Sequence, residues 1–251
     1  MLGKAWCYTM AMVRPGRLQW PQNRISHLIR EIDSPLWRGL IILIAIDIVF
    51  VAIHLVHDIY IFSYNAGVPM LAKRWNIDTD RSYAEIFGYA KLIGINAAVY
   101  STYKLSNNRL YLIFLGLFIY ILLDDFLLIH ERLGSMLADA SDWVWHRDVG
   151  QLAVWIVVGV LLLAVAMLGL ARSSGENLSN GVLLLGAVAA LGFFAVGVDL
   201  IHAIVRSASR IADLLLTAIE ELGEQLMLSL TVALAILIRR SKCRKATVAA
   251  P

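Results

Sequence analysis

Apolar residues run through this chain in long stretches broken by short polar segments, and the stretches lack the strict alternation of barrel strands. Six of them, at about 36–62, 82–104, 108–131, 151–171, 181–206 and 212–238, are long enough as helices to cross a bilayer. The pattern predicts an all-α polytopic membrane protein, a six-helix transmembrane bundle over 36–238. The 82–104 stretch is the most diluted, by Glu85, Lys91, Asn96 and several tyrosines. Ahead of the bundle lies a cytoplasmic N-terminal segment, 1–35, in which Ile25, Leu28, Ile29 and Ile32 follow i, i+3, i+4, i+7 spacing. That stripe predicts an interfacial amphipathic helix over 21–33, after which Ser34 and Pro35 cap and start the first span. Residues 239–251 form a basic cytoplasmic tail.

Composition sharpens this picture. The chain is 59% hydrophobic and 16% charged with a mean hydropathy of +0.71, too apolar for a soluble domain of 251 residues. Its net charge of +3 comes mainly from the ends and gives no reason to expect a nucleic-acid partner; basic flanks beside a bilayer set topology or touch lipid headgroups. About twice as many Lys and Arg flank the spans on the side holding both termini as on the other, which predicts cytoplasmic N- and C-termini in a cell inner membrane. Trp143, Trp145 and Trp155 then fit an outer aromatic belt. Cys7 and Cys243 lie in the flanks and define no disulfide or CxxC site. The first twenty residues lack the apolar run and cleavage site of a signal peptide.

The spans also carry Asp47, Asp58, Glu85, Asp124, Asp125, Glu131, Asp199, Glu220, Glu221 and Glu224, with His54, His57, His130 and His202, while Lys91 is the base they hold at depth. An ionised Asp at the centre of a membrane helix costs about 2.5–3.5 kcal/mol on insertion scales, so these acids must meet protons, water or cations. At 1.5 Å per residue most of them fall in one outer-leaflet layer. Facing agrees: Asp47, His54 and Asp58 lie within about 40° of one another, and Asp199 with His202, like Glu220 with Glu224, share a helix face.

Carboxylate oxygens and imidazole nitrogens gathered in this way suit a divalent metal, Zn²⁺, Mn²⁺ or Fe²⁺, with donors enough for two ions. The expected ligands are His54, Asp58, Asp124, Asp199, His202, Glu220 and Glu224, with Glu131, Glu85 and His57 as catalytic proton carriers. The reading is a metal-dependent membrane enzyme, hydrolase or oxidoreductase, acting on a lipid or other amphiphile. Two alternatives stay open: a proton- or cation-coupled transporter, and a receptor or assembly subunit whose acids are polar glue. Lys91 is expected to neutralise Asp47 or another acid. Nothing in the sequence fixes the oligomeric state.

With YAEIFGYAK at 83–91, LLDDFLLIHERLG at 122–134 and AIEELGEQL at 218–226, the chain resembles a group of uncharacterised small bacterial integral membrane proteins. The resemblance implies a bacterial inner-membrane protein and carries no activity with it.

Overall fold

The computed structural model describes residues 22–64, 73–77, 79–140, 147–205 and 209–249. Every regular element among them is helical: α1 Gln22–Arg30, α2 Ser34–Tyr64, α3 Tyr83–Ser106, α4 Arg109–Leu127, α5 Ile129–Ala140, α6 Arg147–Ala171, α7 Gly175–Gly192 and α8 Asp199–Val205, joined by a π-helical segment Phe193–Val198, and α9 Arg210–Ala249. Trp143 and Trp145 of the expected belt, Cys7, and the residues read for a signal peptide lie outside the described residues.

The all-α expectation holds, but five described helices, not six, are both long and apolar enough to cross a membrane: α2, α4, α6, the α7–α8 run and α9. The exception is α3, the 82–104 stretch, and its place in the bundle explains why. It packs against α2, α4 and α9 and buries Lys91, Leu92, Ile95, Val99 and Thr102. A helix answered by protein on so many sides does not need an apolar exterior. Helix α6 is the opposite case, with Val157, Leu161, Met167 and Leu168 each more than half exposed, as a lipid-facing surface would be.

Local chemistry sets the helix ends. Asp33, not the expected Ser34, caps α2: its Oδ1 accepts from the Leu36 amide at 3.0 Å. Ser82 caps α3 by accepting from the Glu85 amide at 3.1 Å, and the Glu85 carboxylate reaches back to the Arg81 amide. Two asparagines turn the chain between α3 and α4. Asn107 is left-handed at φ 50°, and Asn108 accepts from the Leu110 amide at 2.9 Å. The third stretch ends at Leu127 instead of 131, where Leu128 takes φ 54° and the chain restarts as α5.

The amphipathic stripe of α1 is divided. Leu28 is buried with Leu36 and Leu237, whereas Ile25 and Ile29 are exposed. Arg24 fixes the helix to the bundle through Glu176 at 2.7 Å and Asn180 at 2.9 Å. The main core, around Ile95, Tyr111, Phe114, Phe118 and Ile238, joins α3, α4 and α9. Half of the membrane-length window of α9 is buried, against 17% for α2, so α9 is the helix around which the others are arranged.

Candidate metal centre and adjoining cavity

Two polar sites are built on α9. The deeper one holds Asp47 of α2, fully buried, against Lys91 of α3 at 2.8 Å. Lys91 Nζ also donates to the Gln225 carbonyl at 2.9 Å and lies 3.3 Å from Ser229 Oγ, while that hydroxyl donates to Asp47 Oδ2 at 2.6 Å. Both carboxylate oxygens and the ammonium are therefore answered within the protein, and Lys91 neutralises Asp47 as expected. A buried charge pair with its hydrogen bonds complete ties three helices together.

The outer site is held by α8 and the start of α9. Its delivery depends on the π-helical segment, whose wider turns rotate Asp199 and His202 relative to an unbroken α-helix. Gly223 lets Phe194 of that segment come close, since a Cβ at 223 would collide with the Phe194 ring. Asp199, His202 and Glu220 each offer a ligand atom, all within 4.8 Å of one another. His202 Nδ1 is 3.1 Å from Glu220 Oε2, and its Nε2 is 2.9 Å from Asp213 Oδ1. Two donors each about 2.0–2.1 Å from one ion stand about 2.9–3.4 Å apart in octahedral or tetrahedral geometry, so the Nδ1–Oε2 separation fits a shared ion. Asp213 then accepts the Nε2 proton and orients the ring, the usual carboxylate–histidine–metal arrangement. Without an ion, the same ring would bridge two carboxylates as an imidazolium.

The other expected residues are distributed around this centre. Glu224 lies one turn along α9 from Glu220, with Asp125, Glu220, Asp199 and Glu85 all within electrostatic range. Asp124 is buried and engaged elsewhere: it accepts from the His130 amide at 3.1 Å, pairs with His130 Nδ1 at 2.8 Å and accepts from Tyr120 at 3.2 Å. These bonds staple the break between α4 and α5. Asp58 sits 3.5 Å from Arg210 and 3.6 Å from His57, too far for a hydrogen bond. His54 is buried with both ring nitrogens unbonded among the described residues. Glu85 caps α3 and accepts from Tyr89, and Glu131 is half-buried in α5. His54, Asp58 and Asp124 thus stand outside the convergent trio.

Beside the centre is a cavity of about 460 Å³ between α3, α4, α6, α7, the π segment and α9. Its walls are aliphatic apart from Trp155 and three carboxylates, Asp124, Asp125 and Glu224. Along α4 the acids follow Leu117 and Ile121, and along the oppositely running α9 Glu224 precedes Leu228, so the acids gather at one end. Val196 of the cavity wall is one turn before Asp199, and Glu224 is one turn after Glu220, which sets the trio of Asp199, His202 and Glu220 just past that acidic end.

Sequence reasoning missed Asp213, Gln225 and the π segment. Asp213 was legible: with Thr217, Glu220 and Glu224 it follows i, i+4, i+7, i+11 spacing on one face of α9. Gln225 covers Gly88, where a Cβ would come within 3.1 Å of its Nε2. Nothing in FFAVGV signals a π-helix.

Five membrane-length apolar helices with a polar interior define the class, a helical chain with the make-up of a multi-pass membrane protein. Residues 42–239 match the family described as a domain of unknown function, DUF8692, and the chain belongs to that family. No curated protein and no solved structure matches it. The family match fits the likeness to uncharacterised proteins without singling out the segments that suggested it.

Proposed function

We propose that the chain is a metal-dependent membrane hydrolase acting on a lipid or other amphiphile, with one divalent ion between Asp199, His202 and Glu220. The observation that carries the reading is the convergence of those three ligands within 4.8 Å, one helical turn from an amphiphile-sized cavity. A divalent ion at such a site polarises an electrophile and acidifies coordinated water at neutral pH. Asp199, His202 and Glu220 would hold the ion, and the surrounding carboxylates would carry protons between the activated water and the leaving group. One imidazole and two carboxylates favour hydrolysis over oxygen activation, for which two-histidine or two-ion ligand sets are the common solutions. Asp213 is the positioning residue for His202, and the cavity holds the substrate's apolar part out of water. The membrane is the bacterial inner membrane, with the site in its outer leaflet and both termini cytoplasmic.

A second reading, proton- or cation-coupled transport, draws on Gln225. Its Oε1 is buried and unbonded among the described residues, and its carbonyl meets Lys91, so α9 carries polar groups from Glu224 inward to Asp47. Elemental analysis of detergent-purified protein separates the two. The hydrolase reading expects close to one equivalent of Zn, Mn or Fe, lost in His202→Ala and retained in Asp124→Asn. No metal after reconstitution, with proton flux in liposomes abolished by Asp47→Asn, would overturn it in favour of transport.

A further inference from the structure

The cavity carries information about its occupant that the metal centre does not. Its volume of about 460 Å³ lies within the range of small-molecule sites, about 300–1,000 Å³. The aliphatic walls, from Leu117 to Leu163 and Leu185, ask for a hydrocarbon tail. The polar end is one-sided in charge: Asp124, Asp125 and Glu224 line it, and no Lys, Arg or His is among the described lining residues. Asp124 is answered by His130, and a divalent ion in the neighbouring centre would engage Asp199 and Glu220. Asp125, with His130 in electrostatic range, and Glu224 remain as carboxyl groups at the cavity's polar end, where the described lining residues include no Lys, Arg or His. An anionic headgroup would be repelled there, and a cationic one would meet charges otherwise costly to hold in a low-dielectric setting.

Trp155 is the second feature. Its ring stands 5.1 Å, centroid to centroid, from His130, and so is held at the acidic end beside Asp124. An indole next to carboxylates is the pairing that recognises alkylated ammonium groups, by cation–π attraction and charge together.

We infer that the cavity binds a long-chain cationic amphiphile, its ammonium head between Asp125, Glu224 and Trp155 and its tail along the aliphatic wall toward Leu185. Such an amphiphile with an ester or amide bond beside its head is the substrate class for the hydrolase, water cleaving the acyl bond to a carboxylate and the freed alcohol or amine; that step rests on the reading above, and binding itself rests on the cavity alone. Fatty acids, alkyl phosphates and other anionic single-chain lipids should bind more weakly.

The test is equilibrium binding of radiolabelled hexadecyltrimethylammonium to full-length protein in a neutral maltoside detergent, with hexadecyl sulfate and hexadecanol as competitors. Saturable binding is expected, displaced by unlabelled ammonium and at least about tenfold less well by the sulfate or the alcohol. Glu224→Gln, Asp125→Asn and Trp155→Leu should each weaken it about tenfold. If a carboxylate variant fails to fold, Gly159→Leu serves: a Cβ there meets nothing within 4 Å, and a leucine would fill the tail region and abolish binding. His202→Ala should lose metal and keep the ammonium. Equal displacement by the sulfate or the alcohol, or unchanged binding in Gly159→Leu, overturns the inference. So does loss of the ammonium together with the metal in His202→Ala, which would assign the head to the ligand trio. Ammonium binding to a protein that takes no metal would leave this inference standing and remove the hydrolase.

Discussion

Ser229 and Glu220 lie on the same helix, α9, yet the polar sites they belong to are balanced in opposite ways. Around Ser229 one acid meets one base, and every oxygen of Asp47 and the Lys91 ammonium finds a partner inside the protein. Around Glu220 the described residues bring together one imidazole and several carboxylates, Asp199, Asp213 and Glu224 among them, with a cavity alongside. A closed, charge-neutral contact spends its interactions on the fold. An acid-rich site beside a cavity is suited to take up a proton, a metal ion or an organic cation. The two sites differ in depth as well as in what answers their acids.

The contrast breaks most sharply at Lys91. Lys91→Met leaves Asp47 buried without its cation and should destabilise the fold by about 3–5 kcal/mol, read from denaturant unfolding in detergent. A double variant Asp47→Leu, Lys91→Met should recover most of that loss. A neutral Lys91→Met would show that the deep site is not a structural lock. At the outer site the corresponding change acts on affinity, not on folding. Asp213→Asn should weaken Zn²⁺ or Mn²⁺ binding about 10–100-fold in a calorimetric titration while the unfolding midpoint stays put.

The dependence of the outer site on the π segment is tested at Gly223. Gly223→Ala forces the Phe194 ring aside and should cost about 1–3 kcal/mol, with metal affinity falling in parallel. Gly186→Ala, where a Cβ meets nothing within 4 Å, should leave both unchanged. The smallest effect belongs to the exposed contact of Asp33 with Arg240 at 2.7 Å. The Arg240 guanidinium, and after it the Leu36 amide, hold the Asp33 carboxyl below the usual carboxylate range. A carboxyl lowered in this way stabilises the fold above its unfolded pKa of about 3.9, and the gain is lost as pH falls through the folded value. Arg240→Ala should therefore differ slightly from the parent at pH 7 and match it in acid, followed by thermal unfolding across pH.

Hydropathy and helix periodicity made the all-helical architecture legible. They overcounted the apolar spans at α3, the stretch most diluted by polar residues, whose Lys91 is buried against protein. The pairing of Lys91 with Asp47 was readable because a lone deep base needs an acid. Ligand chemistry is legible in the sequence at His54, Asp199, His202, Glu220 and Glu224, and no less at Asp124 and Asp58. Their diversion to His130 and Arg210 depends on a helix break at Leu128 and on the packing of α9 beside α2. The π segment was beyond reach, since its geometry comes from Phe194 seating on Gly223 and not from any local propensity.

The most direct test is X-ray absorption at the metal edge of protein reconstituted with Zn²⁺. The account predicts a four- to six-coordinate ion with a single imidazole nitrogen and otherwise oxygen donors, the nitrogen signature vanishing in His202→Ala. Two or more imidazoles in the coordination shell, or the hydrated ion's spectrum in the parent protein, would contradict a centre built on Asp199, His202 and Glu220.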